Sequence, residues 1–363
     1  MLFQPTQMER ADVVIVGGGP AGASCAIVCA QQGLRTVLLE RATFPREKVC
    51  GDCLNPACWP VLDRLGVTEA VRQLPHGPLD MVEFIGISGA SVRVNLPPGQ
   101  EIAVKRSLFD HTLLTHARSC GADIRENALV TRVDRTHWGE WRVDFVRDNV
   151  VAPVVVAADG RNSNVARGRG LLPKIQRERI ALQSHIPLPN GYGNRVVLQF
   201  LRQGYSGQAP VNDNELNLCL VGRAKDAEVL KSWASQQFRI PSNQSWRTIT
   251  PLTRAPLAAA NENLFLIGDA ARVVEPFTGE GIYYAMRSGE LAANTIIALA
   301  RDEKRELALE QFTRDHARMY AGRLWINQLA RAAVVSPRIG SAFLPVARAF
   351  PGVLRGLTRK ITG

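Results

Sequence analysis

A chain of 363 residues, 46% hydrophobic and 21% charged, has enough apolar side chain to bury one large core or two, which excludes intrinsic disorder as its working state. Its net charge of +11 would suggest nucleic acid, but beyond Asp315 there is no acidic residue while seven arginines and one lysine follow, so the charge belongs to one end. With no aromatic platforms interleaved on strands, nucleic-acid binding is set aside.

Seven cysteines are an odd number in a chain large enough to fold without cross-links, so a reducing compartment is expected and the cytoplasm is the simplest location. The first residues show no basic stretch followed by an apolar core and a small-residue cleavage site, and no export signal is read there.

Ala11 to Val16 reads as a buried strand, Gly22 to Gln32 as a helix closed by Gly33, and Arg35 to Glu40 as a second strand. Val13 to Leu34 is uncharged, yet Gly17-Gly18-Gly19-Pro20 breaks it where a strand should turn, so it is read as strand, turn and helix rather than a membrane span. Gly17, Gly19 and Gly22 then stand at the spacing of a dinucleotide fingerprint. The first permits the turn, the second lets backbone approach a pyrophosphate, and the third lets helix pack on strand. Glu40, with Arg41 beside it, ends the next strand where a carboxylate accepts hydrogen bonds from an adenosine ribose. This motif alone does not separate FAD from NAD.

Trp138 and Trp141 fall in a predicted hairpin. Val154 to Gly160 is a buried strand closed by Asp159 and Gly160, a pair that also reads as an ordinary turn. Arg179 to Ile186, Arg195 to Leu201 and Glu215 to Val221 have strand length and pattern, and they suggest an antiparallel sheet on the substrate side. Leu264 to Ala271 repeats the strand-then-acid pattern, with Gly268 and Asp269 placing a carboxylate near a sugar hydroxyl. Pro276 to Gly281 then opens a helical run from Ile282 to Ala300, whose N-terminal amides would face an anion, either a reduced flavin or a phosphate. Helical pattern continues beyond it, interrupted by Pro337, Pro345 and Pro351.

Taken together, the segments GGGPAG with Glu40, AADG at 157–160, IGDAA at 267–271 and PFTGEGIYYAMRSGELAA at 276–293 resemble the flavoproteins that span para-hydroxybenzoate hydroxylase and the geranylgeranyl reductases. PREKVCGDCLNP at 45–56 and TGEGIYYA bring the chain nearer the geranylgeranyl reductase branch. The resemblance implies FAD, with Glu40 at the adenosine ribose, Asp269 at the ribityl chain, Gly279 and Gly281 at the isoalloxazine edge, and Cys50 and Gly51 beside the flavin ring. Arg106, in VKRSLFDHTLL, matches an arginine that opens a helix near the cofactor; without the family it reads as a solvated helix-start charge.

Where the prenyl reductases show a tryptophan and a phenylalanine, this chain has Gly204-Tyr205-Ser206-Gly207-Gln208-Ala209-Pro210, so the substrate pocket departs from theirs. The tryptophan and proline motif of flavin halogenases is absent too. Cys53 and Cys58 look like the redox pair of glutathione reductase relatives, but no second glycine fingerprint and no late histidine with a glutamate accompany them, and small buried packing is the competing reading. No cysteine or histidine pairs stand at zinc spacing, so no metal is expected. His185 and Tyr205 could meet substrate or relay a proton, or His185 could simply be packed.

The expected fold is therefore α/β: a glutathione-reductase-type Rossmann FAD domain with an inserted antiparallel β-sheet substrate domain and a helical C-terminus. The FAD domain is drawn from 1–75, 101–170 and 256–300, the substrate sheet from 76–100 and 171–255, and a basic segment covers 301–363. The expected activity is reduction of a carbon–carbon double bond in a hydrophobic small-molecule substrate of isoprenoid or polyketide type, with FAD as cofactor and NAD(P)H as electron donor. Two alternatives stay open: a monooxygenase of an aromatic or polyketide substrate, and a membrane-peripheral electron carrier to quinone. The basic C-terminal segment reads equally as a peripheral membrane contact or as helices packed on the core.

Overall fold

A computed structural model describes residues 8–146, 148–173, 179–275, 279–301 and 304–321. Four short runs, Val13–Val16, Thr36–Leu39, Val154–Ala157 and Leu264–Leu266, apolar throughout except for Thr36, are buried along their whole length. Strands with no polar face must be covered on both sides, which is the condition of a parallel sheet between two layers. They form it here: the order across the six-stranded cofactor sheet is Ala260–Asn261, Leu264–Leu266, Val154–Ala157, Val13–Val16, Thr36–Leu39 and Asp123–Arg125. All neighbours in it are parallel except the first pair. Segments well over a hundred residues apart in the chain, such as Val13–Val16 and Val154–Ala157, therefore lie side by side.

One face of this sheet is covered by three helices, Pro20–Gln31, Arg106–Ser119 and Gly281–Ala300, which share a core with Ile15, Leu38 and Val156. The first helix begins at Pro20, two residues before the sequence reading, because proline's fixed φ suits a first helical position and its missing N–H costs nothing there. The other face is covered by the antiparallel strands Val130–Arg135, Trp141–Phe145 and Asp148–Ala152, whose Trp141 and Val143 meet Val14, Val37 and Leu39. The predicted Trp138 hairpin is the turn between the first two.

A second sheet of seven strands runs in the order Arg247–Ile249, Ile180–Pro187, Glu215–Gly222, Gly204–Pro210, Arg195–Leu201, Met81–Ile85 and Ser91–Asn95. It is antiparallel except where Arg195–Leu201 lies parallel to Met81–Ile85. Alternation gives it two different faces. Leu182, Leu216, Leu218 and Leu220 point away from the cofactor sheet and pack on Leu230 and Ala234 of the helix Ala227–Phe238. Ala181, Tyr205 and Val221 occupy the opposite face. A small sheet of Cys53–Leu54, Glu101–Ala103 and Gly77–Leu79 adjoins that face, where Cys53, Leu79 and Ala103 meet Val82 and Ala209.

The three covering helices are held by close backbone approach. A Cβ on Gly289 would stand 2.2 Å from the carbonyl oxygen of Ala21, a fixed backbone atom of the first helix. Gly289→Ala is therefore expected to destabilise the protein by at least about 2 kcal/mol through overpacking, read as a lower urea midpoint at unchanged slope. An unchanged midpoint would show that these two helices can part without cost.

Candidate active site

The fingerprint turn is built by steric exclusion. A Cβ on Gly17 would lie 2.5 Å from Ala158 O, and one on Gly22 would lie 1.9 Å from Gly17 O, so neither position admits a side chain. Gly17 also takes φ +108°, a conformation that glycine alone adopts readily. Gly19 differs, since a Cβ there would meet only Arg46 Nη2, at 3.6 Å. Its side is open toward a cavity of about 770 Å³ that Gly17, Gly19 and Pro20 line. The helix that starts at Pro20 has no side-chain cap and no acidic residue in its first turn, which leaves its leading amides and the positive end of its dipole for an anion.

Glu40 is buried and holds this turn from behind. Its Oε2 accepts from Gly18 N at 2.7 Å and its Oε1 from Ala42 N at 2.9 Å. Both oxygens keep lone pairs for a further donor, and Glu40 and the exposed Arg41 both line the cavity.

Six cations among the described residues line the same cavity, Arg41, Arg46, Lys48, Arg106, Arg161 and Arg247, and four of them, Arg46, Lys48, Arg106 and Arg161, crowd one another. The fully buried Asp110 pairs with two of them, Arg106 at 2.6 Å and Arg46 at 3.2 Å. Arg161 donates to Asp269 Oδ2 at 2.8 Å. Lys48 is pushed down to about 8 by burial and then by its neighbours Arg161, Arg46 and Arg106. Three of these cations, Arg46, Lys48 and Arg161, were missed in the sequence. The signal was present, because PREK immediately precedes the Cys50 segment and Arg161 immediately follows Asp159-Gly160.

Asp159 accepts from Asn164 N at 2.7 Å and Val165 N at 3.2 Å, so one oxygen caps the short helix Asn164–Gly168 while its other oxygen is buried with no hydrogen bond. Gly268, at φ +55°, donates its N–H to Ser288 Oγ at 2.9 Å and sits where a Cβ would press on Ala21. Gly279 and Gly281 line the cavity with Ile282 and Ala285. Residues 276–278 of the PFTGEG segment lie outside the described residues, as does the basic segment from 322 onward.

The Cys50–Asp52 loop lies between the two sheets and is pinned by the second one. Asn217 Nδ2 donates to Cys50 O at 2.8 Å, and Cys219 Sγ approaches the same oxygen at 3.3 Å. His185 Nε2 is in hydrogen-bond contact with Asp52 Oδ2 at 2.8 Å. His185 thus stands behind Asp52 and does not line the cavity, whereas Asp52 does. Asp52 takes φ 62°, and its Oδ1 is buried with no hydrogen bond. Burial pushes its carboxyl above the usual range, an effect that the contact with His185 partly offsets. Tyr205 lines the cavity from the second sheet, and burial holds its hydroxyl far above the ordinary value.

All seven cysteines are free thiols. Cys58 is buried in the helical core and Cys53 reaches back to Gly51 O at 3.4 Å, so the two are packed separately rather than joined. Among the described residues no group of acids, histidines and cysteines could hold a metal ion, and no helix is long and apolar enough to cross a membrane.

The residues present fit a flavin dinucleotide: a turn in which Gly17 and Gly22 admit no side chain, uncapped helix amides beside Arg46, and the Glu40 carboxylate on the same cavity wall. Comparison with known proteins agrees. Residues 10–184 match the FAD binding domain family. The menaquinone reductase of Mycolicibacterium smegmatis is 30% identical over 321 residues, covering 78% of this chain and 76% of that protein. The digeranylgeranylglycerophospholipid reductase of Methanocaldococcus jannaschii is 27% identical over 332 residues, covering 84% and 81%. The solved structure of a flavin-dependent brominase superposes with a TM-score of 0.79 at 21% identity, covering 98% of this chain and 94% of that one, a likeness of fold. The chain belongs to the FAD-dependent oxidoreductases of this FAD binding domain family, among relatives that include the prenyl-lipid reductases.

Lys48 supplies a test of the cationic cradle. Its charge is present below its pKa and lost as pH rises through it, so attraction for an anionic cofactor is lost in the same direction. FAD affinity, followed by flavin fluorescence, is expected to weaken between about 8 and the ordinary lysine value of 10.5, and Lys48→Met should flatten that dependence. Parallel profiles for both proteins would remove Lys48 from the cofactor site.

Proposed function

We propose that this protein reduces a carbon–carbon double bond in a hydrophobic substrate of isoprenoid type, with FAD as its cofactor and NAD(P)H as its electron donor. The observation that carries the reading is the continuity of one cavity, from the glycine turn, past Cys50 and Gly51, to the apolar face of the seven-stranded sheet. That face offers Val82, Phe84, Val196, Leu198 and Val221, a wall suited to hydrocarbon rather than to a polar metabolite. The names of two relatives support the same class, since menaquinone and digeranylgeranylglycerophospholipid both carry isoprene chains.

When bound and reduced, FAD supplies a hydride. The chain must then hold the alkene against the ring, keep water away and deliver a proton to the second carbon. In this reading Tyr205 and the aliphatic wall position the substrate, and Cys50 with Gly51 forms the edge that the alkene passes. Asp52 holds the proton, because its burial favours the neutral acid and one of its oxygens has no protein hydrogen bond. His185, in contact with the other oxygen, restores the proton after transfer.

Two outcomes are expected. Holoenzyme reduced chemically under anaerobic conditions should convert a geranylgeranyl lipid that carries no quinone ring to a product heavier by one hydrogen molecule, as read by mass spectrometry. A product that gains one oxygen atom, and forms only when air is admitted, would establish a monooxygenase instead. Within the same assay Asp52→Asn should slow alkene reduction by about 10²-fold or more. The acid form of Asp52 exists below its pKa, so the wild-type rate should fall as pH rises through that value, while the variant's residual rate should not follow the same curve. A wild-type rate that is level with pH, or that rises, would exclude Asp52 as the proton source.

A further inference from the structure

One acidic side chain on the cavity wall is used neither by the cofactor cradle nor by the Cys50–Asp52 loop. Glu101 lies on the middle strand of the small sheet, opposite Leu79, and is 9% exposed. Its strand neighbour on the same face is Ala103, opposite Cys53, and the surrounding cluster of Leu79, Val82, Leu96 and Ala209 is aliphatic. Among the described residues it makes no salt bridge, and its Oε2 is buried with no hydrogen bond. It nevertheless lines the cavity, at the end formed by Cys53, Val82 and Ala209.

A carboxyl set among aliphatic side chains is unfavourable unless something satisfies it, and a leucine would fill the same place with none of that cost. Among the described residues the cavity that Glu101 lines offers a space from which a partner could come. We propose that Glu101 makes this end of the cavity selective for a substrate that carries a neutral oxygen acceptor, a carbonyl or hydroxyl oxygen, on an otherwise hydrocarbon body. The proposal rests on the cavity being a substrate channel and adds which hydrophobic compounds it admits and in which direction they lie. Burial pushes the carboxyl up to about 7, so the neutral acid, which can donate one hydrogen bond to such an oxygen, is well populated at neutral pH. Anchoring the oxygen at this end determines which double bond of a long chain reaches Cys50 and Gly51.

The test uses the FAD-loaded protein and three probes of one chain length: a farnesyl methyl ketone, the same chain without the carbonyl, and the same chain ending in an amine. Affinity is read from the perturbation of the bound flavin's absorbance. Wild type should favour the ketone over the hydrocarbon by about tenfold, the worth of one buried hydrogen bond. Glu101→Gln, which keeps an N–H donor at the site, should retain that preference within about threefold. Glu101→Leu should abolish it while binding the hydrocarbon at least as well, and should melt no lower than wild type, which separates lost recognition from lost folding.

A ketone preference that survives in Glu101→Leu, or a wild-type preference for the amine, overturns the assignment. Equal binding of ketone and hydrocarbon by wild type overturns the role of Glu101 and leaves the channel standing. Failure of wild type to bind any of the three overturns the channel and the assignment together.

Discussion

The hydrogen of Gly22 points at the carbonyl oxygen of Gly17 from a distance at which a methyl group would stand 1.9 Å away. That contact sets how closely the helix Pro20–Gln31 lies on the first strand, and much else follows from it. Because the helix is drawn in, its uncapped amides open directly into the cavity, and its other side comes near enough to the helix Gly281–Ala300 that Gly289 must also lack a side chain. Gly268, pressed against Ala21 in the same layer, carries Asp269 to the cavity wall. Bulk at any of these positions would move a helix, and with it the direction of a dipole and the place of a carboxylate.

Electrostatically the cavity is divided. Around the glycine turn four cations stand close together, and the fully buried Asp110 offsets two of them. Arg161 is offset by Asp269. Among the described residues Lys48 has no such carboxylate at ion-pair distance; burial and then crowding lower it, and an anionic cofactor would raise it again. Beyond the Cys50–Asp52 loop much of the wall is the apolar face of the seven-stranded sheet, with Glu101, Gln208 and Arg247 among its polar side chains. In the proposed reading a dinucleotide and a hydrocarbon would meet different environments within one cavity, with the loop at the boundary.

That boundary depends on the second sheet. Asn217 and Cys219 converge on the carbonyl of Cys50, and His185 reaches Asp52. The neighbouring Gln183 donates to Asn217 Oδ1 at 3.2 Å, so a short polar row crosses two strands on an otherwise apolar face. Its members hydrogen-bond to one another and to the loop, which offsets the cost of burying them, although Gln183 Oε1 is buried with no hydrogen bond. A loop that carries a left-handed Asp52 is thus held by hydrogen bonds from the sheet that forms one wall of the cavity.

How much of this was legible in the chain follows from the range over which each feature acts. The glycine spacing, the buried strands and Glu40 were readable because a strand, a tight turn and a helix constrain residues within a few tens of positions, and few residue types meet those constraints. Asp159 and Asp269 were readable as acids at strand ends, though the helix cap made by the first and the Arg161 pair made by the second were not. His185 was recognisable only as a histidine on a strand. What decided its place was register: His185 stands opposite Asn217, Gln183 opposite Cys219, and all four side chains share the face that meets a loop 133 to 169 residues away in the chain. A slip of one residue would turn that polar row to the helix side and leave Cys50 and Asp52 without it. The sequence by itself determined the cofactor fold, because that information is local, whereas the partners of Asp52, the isolation of Glu101 and the crowding of Lys48 were decided by tertiary structure, because each depends on which distant side chains the sheets bring to one wall.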